Sequence, residues 1–104
     1  MTYPPAGFEQ AAELFKALSS SSRLGLIGLL ASRQMSVTEL VAESGLSQPL
    51  VSQHLRVLRS AGLVTVERDG RIARYEVADT HVTHVVADAV AHVREHVDGS
   101  VSAS

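Results

Sequence analysis

The 104-residue sequence contains no cysteine, only three prolines, and few aromatic residues, which make up 4% of it. Without a thiol, a disulfide framework, a zinc ribbon, a cysteine nucleophile and a thiolate-built soft-metal site are all excluded. Any metal has to be held by His, Asp or Glu. The seven glycines are scattered and form no phosphate-cradling loop. No apolar run approaches the roughly 20 residues that a membrane-spanning helix needs. The opening Met-Thr-Tyr-Pro-Pro lacks the basic start and apolar stretch of a signal peptide. The expectation is a cytoplasmic protein with no membrane partner and no small organic substrate. An excess of positive charge is missing too: 9 Lys+Arg stand against 11 Asp+Glu, which argues against a uniformly basic nucleic-acid binder. What remains, with 45% apolar residues, suits one ordinary domain over residues 1–104.

The net charge of -2 hides an uneven distribution. Residues 1–46 carry three positive and four negative charges. Residues 47–75 carry five arginines against Glu67 and Asp69, a local balance of +3. Residues 76–104 set Arg94 against Glu76, Asp79, Asp88, Glu95 and Asp98, a balance of -4. A basic middle is followed by an acidic, histidine-rich end.

Apolar spacing predicts a helix over residues 8–18, with Ala11, Ala12, Leu14, Phe15 and Leu18 along it. Four serines interrupt the pattern at 19–22, and Ser21 or Ser22 is the expected cap of a second helix from Arg23 to about Ala31. Ser36 and Glu39 have capping-box spacing for a short helix over 37–44, which Gly45 stops. Ser47 caps a further helix to about Ser60, with Pro49 in its first turn and Gly62 beyond its end. Two β-rich runs, Leu63 to Arg68 and Arg71 to Val77, flank Asp69-Gly70, a pair that favours a tight hairpin turn. Asp79 caps a last helix to about Val97, followed by a polar tail expected to be flexible over 98–104. The fold class is mainly α with a small β-hairpin, a winged helix-turn-helix. Its parts are core helices over 8–35, the helix-turn-helix over 36–62, the wing over 63–77 and a last helix over 79–97, followed by the tail at 98–104.

Around the 47–60 helix, Val51, Leu55 and Leu58 fall on one side and Pro49, Ser52, Gln53, Arg56 and Ser60 on the other. Gln and Arg make bidentate contacts to adenine and guanine edges, and Ser or Arg near a helix N-terminus holds phosphate. The DNA-binding candidates are therefore Ser47, Gln48, Ser52, Gln53 and Arg56, joined by Arg68, Arg71 and Arg74 around the wing turn. Any one of these fits an ordinary solvated face; the succession of helix, turn, helix, glycine and basic hairpin makes double-stranded DNA the expected partner. His54 lies beside the packing side and reads as a partly buried structural histidine.

The stretch SQHLRVLRSAGLV over 52–64, preceded by Ala17-Leu18 and Ser22-Arg23-Leu24, resembles the arsenical-repressor (ArsR/SmtB) family of metal-sensing regulators. The resemblance covers about residues 8–97. It implies a homodimer with winged helix-turn-helix heads on an inverted-repeat operator, with dimerisation by the helices of 8–35 and 79–97 and metal sensing by the 79–97 helix.

On a helical wheel with His81 at zero, His84, Asp88, His92, Glu95 and His96 fall within about 60° on either side. Val86, Val90, Val93 and Val97 fall between about 120° and 180°. Four of the five histidines lie within 81–96, beside two carboxylates. Solvated helix faces usually carry Lys, Arg and Glu, whereas neutral imidazole beside carboxylate suits a borderline divalent metal. His81 and His92 are about 16 Å apart along one helix, while ligand bonds are about 2 Å, so one helix cannot close the site. An antiparallel second copy brings the Asp79/His81 end of one helix beside the His92/Glu95 end of the other, giving two equivalent sites about a two-fold axis.

Residue by residue, Asp79, His81, His92 and Glu95 match the interhelical sensing motif of the ArsR/SmtB family. The family's thiolate-rich motif has no counterpart at Ser36-Val-Thr-Glu-Leu40, so arsenic, cadmium, lead and cuprous sensing are disfavoured. Four ligands suit tetrahedral zinc. His84 and His96 permit five or six, or tune the inner ligands, and the Glu95-His96 pair resembles the sensing helix of the family's nickel and cobalt sensors. Ni(II) is favoured, with Zn(II) and Co(II) as alternatives. The rivals are a winged-helix regulator whose histidine-rich helix is only structural, and a small zinc hydrolase, since His92-Val-Arg-Glu95-His96 fits H-x-x-E-H. The hydrolase lacks room for a cleft and a third ligand, so no enzyme is expected.

Overall fold

A computed structural model describes residues 2–97. The tail expected to be flexible at 98–104 lies outside the described residues. The chain runs α1 (Phe8–Leu18), α2 (Ser21–Leu30), β1 (Met35–Ser36), α3 (Val37–Ser44), α4 (Gln48–Ser60), β2 (Val64–Asp69), β3 (Ile72–Val77) and α5 (Thr80–Val97). It is a mainly α winged helix-turn-helix with a three-stranded antiparallel sheet in the order β1-β3-β2.

Local chemistry sets most of the boundaries. Ser36 Oγ accepts from the Glu39 backbone N–H and Glu39 Oε1 accepts from the Ser36 N–H, so both halves of the capping box form. The Ser47 hydroxyl accepts from Leu50 N, and Asp79 Oδ1 accepts from Val82 N to open α5. Gly45 ends α3 at φ 75°, a left-handed conformation in which a side chain is strained, and this bend turns the chain into α4. One cap differs from expectation. Ser20, not Ser21 or Ser22, accepts from Arg23 N, so α2 begins two residues before Arg23. Any of the four serines can cap. Ser19 is taken by α1, whose Lys16 carbonyl accepts its hydroxyl.

The wing also departs from expectation in two ways. Asp69 pairs with Ile72, so the two-residue turn is Gly70-Arg71 rather than Asp69-Gly70. Gly70, at φ 65°, supplies the positive φ that a tight hairpin turn demands. The sheet has a third strand as well: Met35 pairs with Tyr75 and Ser36 with Arg74. Two residues carry no period-2 signal, so this strand is visible only once the wing folds back on it.

Leu26 and Ile27 of α2, Leu40 of α3, Val51, Leu55 and Leu58 of α4 and Leu63 and Val64 at the start of the wing form the centre of the core, none more than 2% exposed. The α4 side chains placed on the packing side by the helical wheel are therefore the ones buried. On α5 the match is partial: Val82 and Val86 are buried, but Val90, Val93 and Val97 are 36%, 55% and 77% exposed. Phe8 and Phe15 of α1 are more than half exposed as well. The radius of gyration of 15.6 Å exceeds the roughly 13 Å of a compact domain of 100 residues, because parts of both terminal helices lie outside the core.

Candidate functional site

Two surfaces carry the candidate chemistry. On α4, burial of Val51, Leu55 and Leu58 turns Gln48, Gln53 and Arg56 fully outward, with Ser52 half-buried. Gln48 Nε2 donates to Ser52 Oγ at 3.0 Å, so these side chains form a pair one helical turn apart. Ser47 is exposed; its oxygen caps the helix, and its hydroxyl proton can still be donated to a phosphate. A shallow concavity of about 450 Å³ lies between α4 and the wing, lined by Ser52, Leu55, Arg56, Arg59, Ser60 and Tyr75.

The wing arginines do not behave alike. Arg68 and Arg71 are exposed at the hairpin end. Arg74 sits on β3 and is drawn inward, with Nη1 3.5 Å from Glu39 Oε1 and Nε 3.7 Å from Asp69 Oδ2. Its charge ties the wing to α3. Glu39 is the hub of this network, since Arg33 also reaches it at 3.1 Å. Its carboxyl is held below the ordinary value, chiefly by the Ser36 backbone N–H and then by the Arg33 guanidinium. Arg59 was not among the residues expected to bind DNA, yet it is exposed and lines the concavity beside Arg56. Its position one turn after Arg56 was the available signal.

Along α5, His81, His84, Asp88, His92, Glu95 and His96 are all exposed. The side chain of His81 is 94% exposed, with Nδ1 3.5 Å from Asp79 Oδ1, so two of the expected ligands already meet at the start of the helix. At the other end the rings of His92 and His96 are 4.5 Å apart. His96 Nδ1 lies 2.8 Å from the His92 carbonyl oxygen. A carbonyl only accepts, so Nδ1 carries the proton and a neutral His96 presents the lone pair of Nε2 outward. Within one copy the two ends stay apart, and among the described residues no three His, Asp or Glu side chains come together as a group able to hold a metal ion. The donor set is chemically suited to a borderline divalent ion, and a single chain does not assemble it.

A short helix packed across an outward-facing second helix, followed by a hairpin wing, defines the winged helix-turn-helix class. The model of the bacterial regulatory protein arsR family matches residues 20–66. The HTH-type transcriptional repressor SmtB of Mycobacterium tuberculosis is 47% identical over 87 residues, which cover 84% of this chain and 64% of that protein. The HTH-type transcriptional regulator NmtR of the same species is 40% identical over 83 residues, covering 80% of this chain and 69% of NmtR. Among solved structures, a homodimeric winged helix-turn-helix DNA-binding domain from Mycobacterium bovis superposes with a TM-score of 0.79 at 28% identity, covering 92% of this chain and 93% of that one. The chain belongs to the arsR family of bacterial regulatory proteins. It spans about two thirds of the length of the SmtB repressor. The relatives and the fold are those of transcriptional regulators and not of enzymes, and the hydrolase reading of His92-Val-Arg-Glu95-His96 falls with that. Among the described residues no helix is long and apolar enough to cross a membrane.

Proposed function

We propose that this chain is a metal-responsive, DNA-binding transcriptional regulator that works as a homodimer on an inverted-repeat operator. The observation that carries the reading is the state of α5: six metal-capable side chains are exposed along it, and one copy does not gather three of them. Asp79, His81, His92 and Glu95 would hold the ion across two antiparallel α5 helices, with His84 and His96 beside them. Ni(II) is favoured by the two extra imidazoles, ahead of Zn(II) and Co(II). When bound, the ion supplies directed bonds that hold the two helices in one relative placement.

The chain's own residues account for the remainder. Gln48, Ser52, Gln53 and Arg56 face a major groove, while Ser47, Arg68 and Arg71 contact phosphates. Arg74 supports the wing through Glu39 and Asp69. In a two-fold dimer the two α4 helices must stand about 34 Å apart, one turn of DNA. Because α5 packs on α2 and buries Val82 and Val86 in the core, repositioning α5 against its partner alters that spacing and with it the affinity.

The test is a Ni(II) and Zn(II) titration of the full chain, alone and with a duplex that the protein selects from random-sequence DNA. His81→Ala and His92→Ala should each weaken metal binding at least tenfold, on the order of the 1.4 kcal/mol that a tenfold change represents. Unchanged metal affinity in both removes the sensing claim and leaves a metal-independent regulator. Loss of duplex binding in Gln53→Ala and Arg56→Ala supports the reading face, and retention of it overturns that face.

A further inference from the structure

Arg23 stands in the first turn of α2, half-buried, where three helices meet. Its Nε donates to the Ala17 carbonyl at 2.6 Å. That carbonyl belongs to the last turn of α1, where carbonyls have no partner within the helix and the dipole favours a cation. Nη1 of the same guanidinium lies 3.3 Å from Nδ1 of His54, which is on α4 between Gln53 and the buried Leu55. A guanidinium has no acceptor. His54 Nδ1 therefore accepts, and the imidazole proton sits on Nε2.

Apolar burial of Val51, Leu55 and Leu58 sets which side of α4 faces the core, but it is non-directional and leaves small rotations and slides of the helix open. The Arg23–His54 contact has a direction. It narrows that remaining rotation of α4 about its own axis, and with it the direction of Gln53 and Arg56, since all three are carried by one rigid helix. At its other end the same guanidinium holds α1, whose Phe8 and Phe15 are exposed. The geometry points to Arg23 as a positioning residue for DNA reading: through His54 it ties the angle of α4 to the last turn of α1. This inference rests on α4 being the reading helix.

Duplex binding by the full chain tests it, with affinities for the selected duplex and for unrelated DNA measured beside the urea midpoint. His54→Leu keeps bulk and removes the acceptor; it should lower the ratio of selected to unrelated affinity about tenfold, which is about 1.4 kcal/mol. His54→Gln offers an amide oxygen to Arg23 and should restore the ratio to within about threefold, a residual of about 0.7 kcal/mol. Arg23→Lys keeps the charge but lacks the fork that reaches both partners, and should resemble His54→Leu. Equal losses in His54→Leu and His54→Gln, or a fall in the urea midpoint with no change in the ratio, overturn the proposal. Should a variant fail to fold, the unmodified protein still decides: imidazole nitrogen shifts must show the proton on Nε2 of His54, and finding it on Nδ1 overturns the contact. If Arg56→Ala keeps full duplex affinity, the reading of α4 itself has failed; if Arg56→Ala loses it while His54→Leu does not, only this inference has.

Discussion

Helices α4 and α5 are both amphipathic, but one chain completes only the first. The apolar side of α4 is sealed, with Val51, Leu55 and Leu58 at 1% exposure or less, whereas α5 buries Val82 and Val86 and then leaves Val90, Val93 and Val97 increasingly open. Val85 and Ala89, at about 40° and 80° from His81, join the histidine side of α5 to its apolar side, on which Val93 stands at about 120°. The expected ligands therefore border apolar surface that has no cover in one copy. The candidate reading helix is finished within a single chain. The candidate sensing surface is not, and its completion by a second copy is what the proposed regulation requires.

Substitutions that separate the two helices put this contrast at risk. The largest effect is expected at α4, where Leu55→Ala should cost about 2–5 kcal/mol of stability in urea unfolding, through lost transfer energy and a cavity. Val97→Ala near the end of α5 should stay within about 0.5 kcal/mol when measured on dilute monomer. Similar losses at both positions would mean that α5 is as much a part of the single-chain core as α4. Next in size, Val93→Glu should leave helix content intact and weaken self-association about tenfold or more. That follows from the roughly 1.5–3 kcal/mol recovered on burying a valine and the 1.4 kcal/mol that each tenfold represents. Sedimentation equilibrium reads this directly, and an unchanged mass distribution would place the copy interface elsewhere.

The smallest effect concerns the network joining α3 to the wing. The Glu39 carboxyl titrates below its ordinary value of 4.5, first because of the Ser36 N–H and then because of Arg33. A group lowered in the fold contributes stability that is present in full above its unfolded value and is lost as pH falls through the folded one. The melting temperature should therefore drop more gently in acid for Glu39→Gln than for the unmodified chain, the difference opening below pH 4.5. Added salt should shrink it, since Arg33 and Glu39 are both well exposed. Parallel profiles would show that the hub carries no net weight.

The sequence by itself determined the features governed by neighbours in the chain. The boundaries of α1, α3 and α4, the Ser36–Glu39 capping box, the Ser47 and Asp79 caps and the burial of Val51, Leu55 and Leu58 all follow from hydrogen bonds and periodicities that span three or four residues. The candidate reading and sensing side chains could be named for the same reason, because the period of a helix says which residues share a side. Tertiary structure alone decided the strand at Met35–Ser36, the inward turn of Arg74 toward Glu39, the link from Arg23 to His54 and how far along α5 burial extends. Each of these joins residues brought together only when distant segments pack. Long side chains such as arginine have several partners within reach, and no local pattern says which one the fold will bring to them.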